Sequence, residues 1–187
     1  MNDNKHHYKR MQLEFGGDIA MTPAEGLITL RSDGKWSSTD IAIHLAAGDR
    51  YHQAAQTYLN QLGRSPRQCE TIAVDGDRFP RSGNFRFVIF VIDNDLEVPL
   101  YRLVHAGLVS AYQHGLVSVS MPLMRTDVMA GTVEKILAEA MQQMMLGIKQ
   151  FVDQYPSYGL RIAIAFYDDR NGSIRHQLQI QAQAELR

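Results

Sequence analysis

The chain has 187 residues, of which 45% are apolar and 21% charged, values typical of an ordinary globular domain. This composition excludes collagen-like, intrinsically disordered and disulfide-scaffold proteins. Lysine and arginine (19) nearly balance aspartate and glutamate (20), so the formal charge of −1 predicts no global attraction to nucleic acid or to an anionic membrane. The lone cysteine, Cys69, excludes an internal disulfide and a multi-cysteine zinc site.

The N-terminal segment 1–10 is polar and leads into no apolar stretch, so it is predicted to be a tail and not a secretory signal. A single domain is expected over 11–187. The longest uncharged apolar runs, such as 87–92, are far shorter than the roughly 20 residues that cross a bilayer. We therefore expect a cytoplasmic protein with no membrane partner.

Hydrophobic periodicity predicts the elements of the remaining chain, because alternation indicates strands and a spacing of three or four indicates helices. Ser38, Thr39 or Asp40 is expected to cap the first helix, and Gly48 to end it. In chain order the predicted elements are strand 11–15, strand 26–30, helix 41–47, helix 51–62, strand 71–74, strand 85–92, helix 98–113, strand 116–121, helix 132–155 and strand 160–166. Segment 173–185 fits both a strand period and a helix period and stays undecided.

Strands alternate with helices, which predicts a three-layer α/β domain with a mixed or mainly parallel sheet and helices on both faces. Segment 85–92 is nearly continuous in β-branched and aromatic residues, as expected of a strand covered on both sides. Acidic residues follow two predicted strands, Asp93 with Asp95 and Asp168 with Asp169. Ligands bind at such strand ends in open α/β sheets, but turn acids are common and no acid–base role is assigned to them.

Generic catalytic and cofactor motifs are missing from the sequence. It contains no G-x-x-x-x-G-K-S/T phosphate loop, no G-x-G-x-x-G, no H-E-x-x-H and no G-x-S-x-G. Its seven histidines are scattered, and none pairs with another at the helical spacing of metal ligands. We therefore expect no metal and no cofactor, and catalytic residues stay unassigned.

Five short segments, in this order, resemble the macrodomain family, an ADP-ribose-binding α/β fold. The matching segments are Gly17-Asp18-Ile19, Ala42–Gly48 (AIHLAAG), Phe87–Val91, Ser118–Pro122 (SVSMP) and Tyr167-Asp168. The AIHLAAG segment is the most specific, since the family has A-I-H-x-A-A-G there. The resemblance covers roughly residues 11 to 168.

The resemblance implies a ligand crevice assembled from loops that are distant in sequence. Asp18 would accept a hydrogen bond from an adenine amino group beside Ile19, and Phe166 or Tyr167 would pack against the adenine. The loop 125–128 would face the phosphates. The implied ligand-binding residues are Asp18, Ile19, Arg31, Asp33, Asp40, Arg125, Thr126, Asp127, Val128, Phe166 and Tyr167.

The departures from the family concern the distal ribose and the phosphates. The family's N-A-A-N is replaced by 28–33, which has no asparagine. Its glycine-rich stretch is replaced by 35–40, which has no glycine. Asp127 stands where the second phosphate loop has a glycine, so a bound diphosphate requires Asp127 to turn away or to pair with Arg125 or Arg31.

Three functions follow from the resemblance. The first is binding of ADP-ribose or a related nucleotide-type ligand, and the second is a non-catalytic scaffold that binds a protein partner and has lost the ligand. The third is an ADP-ribosyl hydrolase, in which Asp33 or Asp40 would replace the family's asparagine. A rise in melting temperature with ADP-ribose separates the first and third from the second.

Overall fold

The computed structural model describes residues 5–126, 130–131, 133–166 and 172–186. Within those ranges the chain forms seven strands and five helices around one sheet. In chain order they are β1 (Lys5–Tyr8), β2 (Met11–Phe15), β3 (Gly26–Arg31), α1 (Ser38–Ala47), α2 (Arg50–Gln61), β4 (Thr71–Asp75), β5 (Phe87–Ile92), α3 (Leu100–Gln113), β6 (Ser118–Pro122), α4 (Leu137–Gln154), β7 (Arg161–Ala165) and α5 (Ser173–Glu185).

The sheet is mixed, with strand order β1-β2-β7-β6-β3-β5-β4. The strands β2, β7, β6, β3 and β5 are parallel neighbours, while the edge strands β1 and β4 are antiparallel to β2 and β5. The register sets Phe15 beside Ile164, and Pro122 beside Ala165. The segments that follow β2, β6 and β7 therefore leave the sheet side by side at one edge.

Helices cover both faces of this sheet and confirm the three-layer α/β prediction. On one face Ile43 of α1 and Tyr51 of α2 share a core with Phe90, and on the other α3, α4 and α5 share a core with Ile89 and Val91. Successive residues of β5 alternate between the two cores, because side chains along a strand point to opposite faces. The strand is consequently apolar throughout.

Three elements differ from the sequence predictions. Strand β1 lies inside 1–10, the segment predicted to be a tail, because its backbone pairs with β2 and because Tyr8 and Lys9 both donate to Asp153 of α4. Helix α4 begins at Leu137 and not at residue 132, since the preceding Glu134 turns into the protein. The undecided segment 173–185 is the helix α5.

No helix in the described parts of the chain combines the length and the apolar character needed to cross a membrane.

Candidate functional site

A cavity of about 420 Å³ lies at the carboxyl ends of β6 and β7. Five parts of the chain form most of its walls: the residues after β2, the start of α1, the segment after β6, the start of α4 with the segment before it, and the end of β7. Ile174 of α5 contributes to a further side. The lining residues are Ile19, Ser38, Thr39, Pro122, Leu123, Arg125, Thr126, Ala130, Gly131, Glu134, Lys135, Ile136, Leu137, Ala140, Ala165, Phe166 and Ile174.

A smaller cavity of about 70 Å³ shares the start of α1 and the segment after β6 with the first. Its walls carry many hydroxyl groups, those of Thr29, Ser32, Ser37, Ser38, Thr39 and Thr126. Three of these hydroxyls donate to backbone carbonyls: Ser32 Oγ to Asp93 at 2.8 Å, Thr126 Oγ1 to Leu123 at 2.6 Å and Thr29 Oγ1 to Leu30 at 3.5 Å. Their oxygens are therefore left as acceptors in the site.

The first turn of α1 lines both cavities through Ser38 and Thr39. A capping box starts this helix: Ser37 Oγ accepts from the Asp40 N–H at 3.2 Å, and Asp40 Oδ2 accepts from the Ser37 N–H at 2.7 Å. First-turn N–H groups carry the positive end of the helix dipole, so this helix start is suited to an anionic group.

Asp40 is buried and joins α1 to α2. Its Oδ1 lies 2.9 Å from His52 Nε2, and its Oδ2 also accepts from the Ser37 hydroxyl at 2.7 Å. Trp36 stacks on His52 with a centroid separation of 4.7 Å and occupies the position before the capping residue. Both carboxylate oxygens of Asp40 therefore have partners within the protein, although the residue lines the smaller cavity.

Arg125 is at the centre of a buried ion network. Its Nε and Nη2 donate to Asp93 at 3.0 and 2.8 Å, its Nη1 donates to Glu134 at 3.0 and 3.1 Å, and Nη2 also reaches the Val98 carbonyl at 2.9 Å. The side chain is 1% exposed, and those of Asp93 and Glu134 are 0% and 3% exposed. Every guanidinium nitrogen of Arg125 thus already donates to the protein.

The network also includes two neutral groups. Gln68 Nε2 donates to Asp93 at 2.8 Å, and the Leu100 N–H at the start of α3 donates to Glu134 at 2.9 Å. Burial by itself lowers the pKa of Arg125, but its hydrogen bonds and charge interactions with Asp93 and Glu134 raise it overall. Arg125 stays a cation, and its charge is matched by acids of the protein.

Arg31 and Asp33 are not among the residues that line either cavity. The Arg31 guanidinium donates to Gln56 at 2.8 Å and lies over the Phe90 ring. Asp33 is exposed, and its N–H donates to Asn94 Oδ1 at 3.2 Å. The sequence predicted that Arg125 or Arg31 pairs with Asp127. Such a pair would have to compete with the contacts that each arginine already makes within the protein.

Asp18 holds a turn immediately after β2. Its Oδ1 accepts from the N–H groups of Ala20 at 2.8 Å and Met21 at 3.3 Å. Gly17 forms an isolated bridge with Phe166, which sets this turn beside the end of β7. The structure therefore brings Ile19, Thr126 and Phe166 together around the larger cavity, with Asp18 next to that group.

Three predicted ligand residues, Asp127, Val128 and Tyr167, lie outside the described residues, as do Asp168 and Asp169. Among the described residues, sequence reasoning missed the acid Glu134 and the apolar wall formed by Ile136 and Leu137. All three residues lie within the predicted helix 132–155, and the spacing of Ile136 and Leu137 fits its apolar face. No local signal therefore marked them as part of a site.

The sequence matches no protein-family model, and no curated protein matches it significantly. Solved structures do match. A point mutant of the Oceanobacillus iheyensis macrodomain with ADPR is 22% identical at a TM-score of 0.74 and covers 96% of this chain and 96% of that one. The same macrodomain with ADP is 22% identical at a TM-score of 0.73, and the match covers 96% of this chain and 94% of that one. A Trypanosoma brucei macrodomain in complex with ADP is 15% identical at a TM-score of 0.70, covering 91% of this chain and 68% of that one.

The chain therefore has the macrodomain fold over nearly its whole length. This confirms, for the fold, the resemblance carried by the short sequence segments. At these identities the comparison defines the architecture alone, and the chemistry of the cavities depends on the residues that line them in this chain.

Proposed function

We propose that this protein is a divergent macrodomain that binds ADP-ribose or a related nucleotide-type ligand in the cavity at the carboxyl ends of β6 and β7. The observation that carries the proposal is the cavity itself, about 420 Å³ in volume. Its size lies within the range of small-molecule sites, and its position at parallel strand ends is where α/β sheets bind ligands. Structural neighbours with the same fold are described with ADPR and with ADP.

The start of α1 is the proposed phosphate side of the site. Ser38 and Thr39, in the first turn of α1, line both cavities, and a helix N-terminus attracts anions through its N–H groups and dipole without a side-chain cation. Asp40 is close, but its carboxylate already accepts from Ser37 and pairs with His52. Those contacts reduce the repulsion that an unpaired carboxylate would exert on a phosphate.

Ile19 and Phe166 form the proposed apolar side, where a nucleobase would be covered. Ile19 is 1% exposed, and Phe166 is half-buried at the end of β7. The proposed partner of the adenine amino group is Asp18, in the turn beside them. The roles of Asp127, Val128 and Tyr167, the single domain over 11–187 and the cytoplasmic location stay predictions from the sequence.

Hydrolysis is not part of this proposal. The two acids considered for it are Asp33, which is exposed and lines neither cavity, and Asp40, whose oxygens are both engaged by Ser37 and His52. The scaffold function, with a protein partner and no nucleotide, is the outcome that a failed binding test would favour.

Calorimetric titration with ADP-ribose, with ADP and AMP as shorter probes, tests the proposal. The informative variant is Ala130→Trp, because Ala130 is exposed on the cavity wall and an indole there would occupy the ligand's space without entering the core. The matched control is Ala184→Trp, an exposed position towards the end of α5. We expect binding by the parent and the control, and at least a tenfold weaker affinity for Ala130→Trp.

Thermal unfolding provides a second test of ligand binding. Ligand at about 100 times its Kd should stabilise the parent by about 2.7 kcal/mol and raise its Tm. Unchanged Tm and no heat at millimolar ADP-ribose, ADP and AMP would contradict nucleotide binding. Equal affinity for Ala130→Trp and the parent would move the site away from this cavity.

A further inference from the structure

Two walls of the larger cavity are joined by one buried ion pair. The first wall is the segment after β6, which includes Leu123 and Thr126, and the second is the approach to α4, which includes Ile136 and Leu137. Arg125 belongs to the first and Glu134 to the second. Their side chains meet through two hydrogen bonds of 3.0 and 3.1 Å beneath the surface.

The approach to α4 does not hold its position by helix formation. The helix starts only at Leu137, and Ile136 before it is extended, with φ −135° and ψ 157°. Ile136 is also 65% exposed, so burial of its side chain contributes little to fixing the segment. Glu134 is the buried residue of this stretch, and its carboxylate bonds to Arg125 and to the Leu100 N–H.

The segment after β6 depends on the same pair. Arg125 has φ 56°, in the left-handed region that non-glycine residues rarely adopt, so the surrounding contacts must hold it there. Those contacts reach the end of β5 through Asp93 and the start of α3 through the Val98 carbonyl. Arg125 thus anchors both cavity walls to the end of β5 and to the residues that precede α3.

We propose that Arg125 and Glu134 are positioning residues for the nucleotide site: they set the separation of its two walls and do not themselves bind the phosphates. This inference rests on the proposed function. It assigns Arg125 a role opposite to that of a phosphate-neutralising cation, because its guanidinium is 1% exposed and donates from every nitrogen to protein acceptors. Affinity for the ligand then depends on an ion pair that the ligand does not touch.

The test compares Glu134→Ala with the conservative variant Glu134→Gln. The glutamine keeps one oxygen where Glu134 Oε1 accepts from both Leu100 N and Arg125 Nη1. Gln68→Ala is the control, since it removes the hydrogen bond to Asp93 Oδ1 and those accepted from the Asn94 and Asp95 N–H groups, and Gln68 lines neither wall. Each variant is titrated with ADP-ribose by calorimetry well below its Tm, and hydrogen exchange of 133–140 is followed without ligand.

We expect Glu134→Ala to bind at least tenfold more weakly and to exchange faster over 133–140. Glu134→Gln should recover affinity to within about threefold of the parent, and Gln68→Ala should lower Tm while its Kd stays within twofold. Parent-like affinity in Glu134→Ala, or equal weakening in Gln68→Ala, would overturn the positioning role and leave nucleotide binding intact. An absence of binding by the parent would instead overturn the proposed function, and this inference with it.

Discussion

At the scale of single residues, the packing around Tyr51 determines the ionisation of its side chain. It is fully buried between Phe79 and Phe85, and its hydroxyl donates to the Arg86 carbonyl at 2.7 Å. A Cβ at Gly76 would lie 2.0 Å from that hydroxyl, so the absence of a side chain there makes room for the ring. Burial penalises the phenolate and raises the pKa of Tyr51 to about 12.

This raised pKa predicts an alkaline loss of stability. An unfolded tyrosine ionises near about pH 10, so the folded state binds the proton more tightly. The contribution of Tyr51 is fully present below that pH and is lost as the pH rises towards about 12. Urea denaturation of the parent and of Tyr51→Phe between pH 8 and about 12 measures it: the stability difference between them should shrink with rising pH. A constant difference would contradict the prediction.

At the scale of elements, α3 and α4 pack through glycine. A Cβ at Gly147 of α4 would lie 2.6 Å from the Tyr101 carbonyl oxygen and 2.9 Å from Val104 Cβ, so the close approach of the two helices requires a residue without a side chain. Gly107 of α3 meets Ile28 of β3 in the same way, at 2.6 Å. These glycines determine how closely the helical layer lies on the sheet.

We predict that Gly147→Ala destabilises the protein although alanine is the better helix former. Overpacking typically costs about 1–3 kcal/mol, against a gain of about 1 kcal/mol from helix propensity. The control is Gly159→Ala, where the added Cβ meets only the Arg10 carbonyl at 3.9 Å and stability should change by less than about 0.5 kcal/mol. Chemical denaturation measures the free energy of unfolding of both variants. A Gly147→Ala protein more stable than the parent would contradict the prediction, because it would mean that α3 and α4 move apart with no loss of stability.

At the scale of the whole molecule, the Arg125 network connects segments that are distant in sequence. It ties the end of β5, the start of α3, the segment after β6 and the approach to α4 to one guanidinium. Both acids it holds are buried, so each depends on Arg125 for its charge to be compensated.

Arg125→Met should therefore lower the free energy of unfolding by about 3–5 kcal/mol, because it leaves two buried carboxylates without their cation. The matched control is Arg64→Met, which removes an exposed pair with Glu70 and should cost at most about 1 kcal/mol. Adding Asp93→Asn and Glu134→Gln to Arg125→Met should restore part of the loss. Similar unfolding midpoints for Arg125→Met and the parent would contradict the assigned importance of the network.

The fold was largely predictable from local patterns. The strand predicted over 85–92 contains β5, whose apolar run follows from burial on both faces. The AIHLAAG segment forms the second half of α1 and its cap at Gly48. The error at the start of α4 has a tertiary cause. The spacing of apolar residues over 132–155 fits a helix, but the carboxylate of Glu134 bonds to Arg125 and to α3 instead.

The sequence by itself determined the class of fold and the order of layers, because apolar periodicity and capping residues act over a few neighbouring positions. The tertiary structure decided what each charged residue does. The resemblance implied that Arg125 faces a phosphate and that Asp40 binds the ligand, yet Arg125 binds Asp93 and Glu134, and Asp40 binds Ser37 and His52. Ion pairs between residues many positions apart leave no periodic signal, so only the folded chain shows which charges are already matched.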